Sequence, residues 1–279
     1  MAKSNWARTL VMAMGLLMLS TAASAQSLPV AINTAGKTAS AVIGLPGQTL
    51  ADVSLVFDDV SGLNVGSIGI TAERISISDP ALLARLPDPG LLQPSAALPL
   101  LITIEPPLQG GLSFRNTGRI EVHTHALAYN IGSSYRLLKA PLGGAFRDIT
   151  DEVAQGSVRA RGTYGGFSQF LIVADLRPTS VAIDSKLAWL NGRVAALPVT
   201  ERAAFSALLD DVAQHVAEAD YPAALAAVDA FRNRATARAG QQLANEWRAS
   251  RNVDNEAGEL VAGAATLRFS IAYLRDFGQ

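Results

Sequence analysis

The chain has 279 residues, 49% hydrophobic and 17% charged, with a formal net charge of −1 and no cysteine. That composition excludes thiol catalysis, disulfides, cysteine-ligated metals and a lipid-modified cysteine at a processing site. No run of Lys or Arg forms a basic patch, which argues against nucleic acid as a partner.

The first segment reads as an address. Lys3 and Arg8 accompany an apolar run over residues 10–19, and Ala23-Ser24-Ala25 is the small-x-small pattern cut by a signal peptidase. We expect residues 1–25 to be a signal peptide cleaved between Ala25 and Gln26, leaving a periplasmic or secreted protein. Loss of Lys3 and Arg8 takes the formal charge from −1 to −3. No later stretch reaches the roughly 20 apolar residues of a transmembrane helix.

Residues 26–176 carry short segments of period-two alternation separated by Gly and Pro. The spacing predicts strands over 39–44, 53–57, 67–78, 98–105, 119–129, 134–139, 146–153, 157–161 and 168–174. Turn clusters lie between them, among them Gly110-Gly111, Gly143-Gly144 and Gly165-Gly166. The exception is 79–97, whose prolines and paired leucines predict a loop with one short helical turn crossing the sheets. Strands this short, with no helices between them, indicate antiparallel pairing in a sandwich or barrel.

Near Asp175 the pattern changes to alanine-rich segments of helical period. Helices are expected over 179–196, over 201–219 with Thr200 as N-cap, from Tyr221-Pro222 to Ala235 or beyond, and over 256–275. The short Ala219-Asp220 connection makes the middle two an antiparallel hairpin. The fold class expected is α+β by segregated domains. An antiparallel, immunoglobulin-like β-sandwich fills residues 26–176, and an α-helical bundle fills 177–279.

Candidate chemistry is sparse. His123 and His125 lie two apart on a strand, so both imidazoles project to one side and are the candidate metal ligands. Glu121 shares that face, but it lies about 13 Å from His125 along a strand at ~3.3 Å per residue, so the three do not converge without a bulge. The remaining histidine, His215, belongs to the helical half. Asp58-Asp59 and Asp151-Glu152 sit at strand ends, where turn capping explains them as well as acid–base work does. Gly166-Phe-Ser168 lacks the nucleophile elbow of serine hydrolases, and nothing in the sequence sets a histidine beside a serine. The glycine pairs lack the Lys-Ser/Thr of a phosphate loop. Arg159 and Arg161 also share one strand face, with Arg136 and Arg147 on nearby strands. They form a possible contact for an anion or a partner's carboxylates, unless cross-strand pairing with Asp148, Asp151 and Glu152 neutralises them. Trp189 and Trp247 fall at helical spacing, as core residues would.

Three runs carry a resemblance: residues 135–150 from Tyr135 to Thr150, residues 156–162, and Phe167-Ser-Gln-Phe-Leu-Ile-Val173. They resemble the closing strands of β-sandwich modules in bacterial surface proteins, which often end on Phe-Ser-x-Phe-x-Val. The whole chain resembles an uncharacterised family of exported proteobacterial proteins. In such modules these residues are structural, so the resemblance implies no catalytic set.

The expectation for function is an exported, non-catalytic binding or structural-interaction protein without a cofactor. Its partner would be an envelope or extracellular protein or a glycan. Two alternatives stay open. One is metal binding or metal-assisted hydrolysis at His123 and His125. The other is a carbohydrate-binding module, if Tyr129, Tyr135 and Tyr164 share one exposed face.

Overall fold

A computed structural model describes residues 25–278 except 46, 155 and 168; the expected signal segment 1–24 lies outside the described residues. Strands β1 (Gln26–Leu28), β2 (Val30–Ala35), β3 (Thr38–Leu45) and β4 (Gln48–Ser61) come first. A single helical turn, α1 (Val65–Ile68), leads into β5 (Ile70–Arg74), and the proline-rich stretch holds α2 (Pro80–Leu83) and β6 (Leu92–Pro94). Next come β7 (Leu100–Ile104), β8 (Ser113–Thr124), β9 (Tyr135–Ala140) and β10 (Arg147–Asp148). Strands β11 (Thr150–Ala154), β12 (Val158–Tyr164) and β13 (Gln169–Asp175) complete the strand-rich part. Then follow α3 (Thr179–Ala196), α4 (Val199–Ala217), α5 (Tyr221–Arg238), β14 (Glu246–Arg248) and α6 (Glu256–Phe277).

The class is α+β. One antiparallel sheet runs β1-β5-β7-β13-β9-β10 with β6 added on β13, and the other runs β11-β12-β8-β4-β3-β2 with β14 added on β8. The chain passes from one sheet to the other at both margins, across Pro29 between β1 and β2 and across Ile149 between β10 and β11. At the second crossing Ile149 still donates its N–H to Leu137, while Thr150 joins the opposite sheet at Gly162. Strands that switch sheets close the margins that would otherwise expose unpaired backbone.

Alternation explains the core. Ile43, Leu55, Ile120 and Val122 of one sheet and Ile70, Ile102, Leu137 and Ile172 of the other enter a single apolar cluster. Strand β13 is buried on both faces. Phe170 and Ile172 point into that cluster, while Leu171 and Val173 join a second one with Leu82, Leu86 and Leu92. The proline-rich stretch is therefore a cover over the outer face of a sheet, with the expected short helical turn as α2, and its leucines are what pack it there. Tyr164 is wholly buried among Phe57, Phe114, Phe167 and Phe170. It cannot share an exposed platform with Tyr129 and Tyr135.

The helices begin where the sequence places them, with one change. Pro198, not Thr200, occupies the N-cap position of α4, because its carbonyl accepts the Glu201 N–H at 2.9 Å and Thr200 lies inside the first turn. Asp220 caps α5 through the Ala223 N–H, and Asn255 caps α6 through the Gly258 N–H. Glu201 near the start of α4 pairs with Arg234 and Arg238 near the end of α5, so the two helices run antiparallel. Helix α6 packs on α3 and α5 and also on β8, β11 and β12.

Trp247 departs from the sequence expectation. It lies on β14, opposite Phe114 of β8, with the two rings stacked 5.3 Å apart. A three-residue strand has no periodicity to detect, and it forms only because β8 offers it a free edge.

Candidate functional site

A cavity of about 730 Å³ opens where the sheet ends meet α3 and the start of α6. Its floor is built from three charged side chains that distant segments supply. Lys139 of β9 donates to Glu259 Oε1 at 2.8 Å, and Arg147 of β10 donates to Oε2 at 2.6 Å. The Gly165 N–H adds a third bond to Oε1 at 3.2 Å. Lys139 and Glu259 are 8% and 15% exposed in their side chains, so the cluster is shielded from solvent without being sealed.

Electrostatics follow from that geometry. Burial works against the Glu259 carboxylate, but Lys139 and Arg147 outweigh it and hold its pKa at about 2. Burial also works against the Lys139 ammonium. One shared carboxylate does not offset burial together with the charges of Arg147 and Arg193, and its pKa falls to about 8. Glu259 therefore stays ionised near neutrality with both oxygens occupied, which disqualifies it as a proton donor or acceptor there.

The walls are apolar and aromatic: Phe146, Phe167, Trp189 and Trp247 face the cavity, with Arg193 of α3 and Arg251 at its margin. The Arg147 guanidinium lies 3.9 Å over the Trp189 ring, and that of Arg251 lies 4.5 Å over Trp247. Gly165 lets the turn between β12 and β13 touch α6. A Cβ there would collide with the backbone of Gly258 and Glu259, which has no rotamer with which to retreat. Gly165→Ala is expected to cost about 1–3 kcal/mol. The check is a lower midpoint in urea unfolding with loss of the Glu259-dependent acid limb described below.

His123, His125, Arg159 and Arg161, singled out from sequence, lie elsewhere, on the outer face of the second sheet, whereas Arg147 joins the cleft floor. His123 and His125 do meet, with ring centroids 4.6 Å apart. His123 Nε2 is 2.6 Å from Ser157 Oγ, a neighbour the sequence did not reveal, and Nδ1 is 3.7 Å from Asp52 Oδ2. The order carboxylate–imidazole–hydroxyl is present, but the first contact exceeds hydrogen-bond length. Burial, Arg159 and His125 all lower the His123 pKa, so its ring is neutral near pH 7. Among the described residues no set of three or more His, Asp or Glu is placed to hold a metal ion.

Arg159 and Arg161 share a face and meet the carboxylates of neighbouring strands. Arg159 and Arg161 both bind Glu121, at 3.1 and 2.5 Å, and Arg161 also binds Glu152 at 2.5 Å. Asp151 and Glu152 continue the ladder to Arg119, while Asp58 accepts from Thr117. Arg136 and Arg147 belong to the other sheet, and Asp148 pairs there with Lys186.

The fold and cavity thus define an α+β protein with a charged cleft between its sheets and helices. The chain belongs to the family of unknown function DUF6689, which matches residues 13–275. No curated protein and no solved structure matches it. No helix among the described residues is long and apolar enough to cross a membrane.

Proposed function

We propose that this protein is an exported, non-catalytic binding protein that holds a small ligand in the cleft between its sheets and α3 and α6. We read strands β1 to β13 as a β-sandwich domain over 26–176, to which β14 is added from the C-terminal part, and the long helices as a bundle domain over 177–279. One observation carries the functional reading. A cavity of about 730 Å³ lies within the range typical of ligand sites, and it combines apolar walls with a few convergent polar groups. Export is supported by the signal pattern of residues 1–25.

The test is native mass spectrometry of the chain purified from the envelope, alongside a variant whose cleft is filled by Ala145→Trp. A small-molecule adduct is expected on the wild type and not on the variant. Cleavage after Ala25 removes Trp6, so Trp189 and Trp247, both on the cleft, are the indoles of the mature chain and their emission reports occupancy. A chain that carries no adduct, and whose emission is unmoved by low-mass envelope extract, would end this reading.

A second reading keeps a metal at His123 and His125, favoured by the 4.6 Å approach of their rings. Elemental analysis of untagged protein should then find stoichiometric zinc, copper or manganese that His123→Ala removes. Metal-free protein counts against it.

A further inference from the structure

We infer that the cleft selects an organic anion, a small molecule with a carboxylate head and an apolar body. This rests on the reading of the cleft as a ligand site and adds what that site recognises.

Two cations at the floor and a third at the margin surround one carboxylate. Lys139 and Arg147 share Glu259, and Arg193 projects its charge onto all three. Among the described residues Arg193 has no hydrogen-bond or ion-pair partner, and Glu259 has none of its oxygens to spare. At the mouth, Arg251 is already joined to Glu105, and Asp254 is solvent-exposed. The excess positive charge is therefore that of Arg193, half-buried at the cavity margin beside the Lys139–Arg147–Glu259 cluster. An incoming carboxylate gains charge-assisted hydrogen bonds there without displacing an existing ion pair. The first turn of α6, from which Glu259 projects, adds the positive end of a 22-residue helix.

The depressed pKa of Lys139 belongs to the same imbalance: burial and neighbouring cations outweigh its one shared anion.

The walls decide the rest of the molecule. Phe167 and Leu142 offer apolar surface, whereas each indole carries a guanidinium over its ring. Trp189 is covered by Arg147, and Trp247 is held between Phe114 and Arg251. A sugar ring stacking there would compete with that guanidinium, while an apolar tail laid beside the rings is accommodated.

Isothermal titration of the full chain with three isosteric probes tests this: 3-phenylpropanoate, 3-phenylpropanol and 3-phenylpropylamine. The carboxylate is expected to bind at least tenfold more tightly than the alcohol, with the amine weaker still, and to weaken as salt rises. Arg193→Gln should reduce carboxylate affinity at least fivefold without moving the melting temperature, because Arg193 holds nothing in the fold. Equal binding of acid and alcohol, or indifference to Arg193→Gln, overturns anion selection while the cleft stands as a ligand site. Binding of none of the three at millimolar concentration also overturns it, and the adduct measurement then decides the cleft by itself.

Discussion

Glu259→Gln is expected to destabilise the protein by about 3–5 kcal/mol, the usual consequence of removing one partner from a buried ion cluster. The amide keeps the volume but not the charge, so Lys139 and Arg147 are left facing each other with no carboxylate between them. For a chain of this size that corresponds to a fall of roughly 6–20 °C in melting temperature. The pH dependence identifies the cause. Glu259 titrates near 2 in the folded protein against an ordinary value of 4.5. Its stabilisation is therefore fully present above pH 4.5, is lost as pH falls toward 2, and amounts to about 3 kcal/mol. In Glu259→Gln this acid limb should flatten. Lys139 gives a slope of the same sign in the alkaline range, although its own shift opposes folding at neutral pH. Its folded pKa of about 8 lies below the ordinary 10.5, so the unfolded chain binds the extra proton between those values and stability rises with pH across them. Lys139→Met should remove that alkaline rise. Melting temperatures from pH 2 to 10.5 for wild type and both variants check the signs, and an unchanged acid limb in Glu259→Gln would refute the assignment.

The second large effect is expected at Asp148, where β10, α3 and α6 meet. Lys186 of α3 approaches Asp148 Oδ2 at 2.6 Å and donates to Ser270 Oγ and the Thr266 carbonyl of α6. Both side chains are almost fully enclosed, 3% and 7% exposed. Despite burial, Lys186 and Arg136 keep the Asp148 carboxyl below its ordinary value. Asp148→Ala strands an ammonium between two neutral acceptors and should cost about 3–5 kcal/mol. Lys186→Met should cost less, because the remaining carboxylate still accepts the Thr150 N–H and feels Arg136. The double variant Asp148→Ala with Lys186→Met should recover most of the loss seen in Asp148→Ala, since the ammonium that substitution strands is then gone. Denaturant midpoints for the four proteins give the coupling directly, and additive losses would show that the pair acts as two independent groups.

Much of the fold was legible because it repeats. The stripe of Phe205, Leu209 and Val212 and the alternation of Ile120 and Val122 follow periods that any helix or strand must obey. The segment 179–196 coincides with α3. What lacked a period was missed: the sheet change at Ile149, and β14 with Trp247. The cleft was illegible for a related reason. Lys139 and Glu259 are 120 residues apart, and each reads as an ordinary charge until the two are adjacent. A signal was nonetheless present. Lys139 follows Leu137 and Leu138 in a strand whose every position from Arg136 onward is buried, and a lysine there requires a partner. His123 and His125 drew attention because their spacing is local, and local spacing is what a sequence displays.

The pairing of β14 with β8 has a temporal consequence. Residues 246–248 complete a sheet whose strand β8 is synthesised about 130 residues earlier, and Glu259 reaches Lys139 and Arg147 later still. A chain emerging N-terminus first therefore carries two unneutralised cations and an open aromatic cluster until its last segment arrives. Completion of the aromatic cluster and of the cleft floor thus awaits the C-terminal segment.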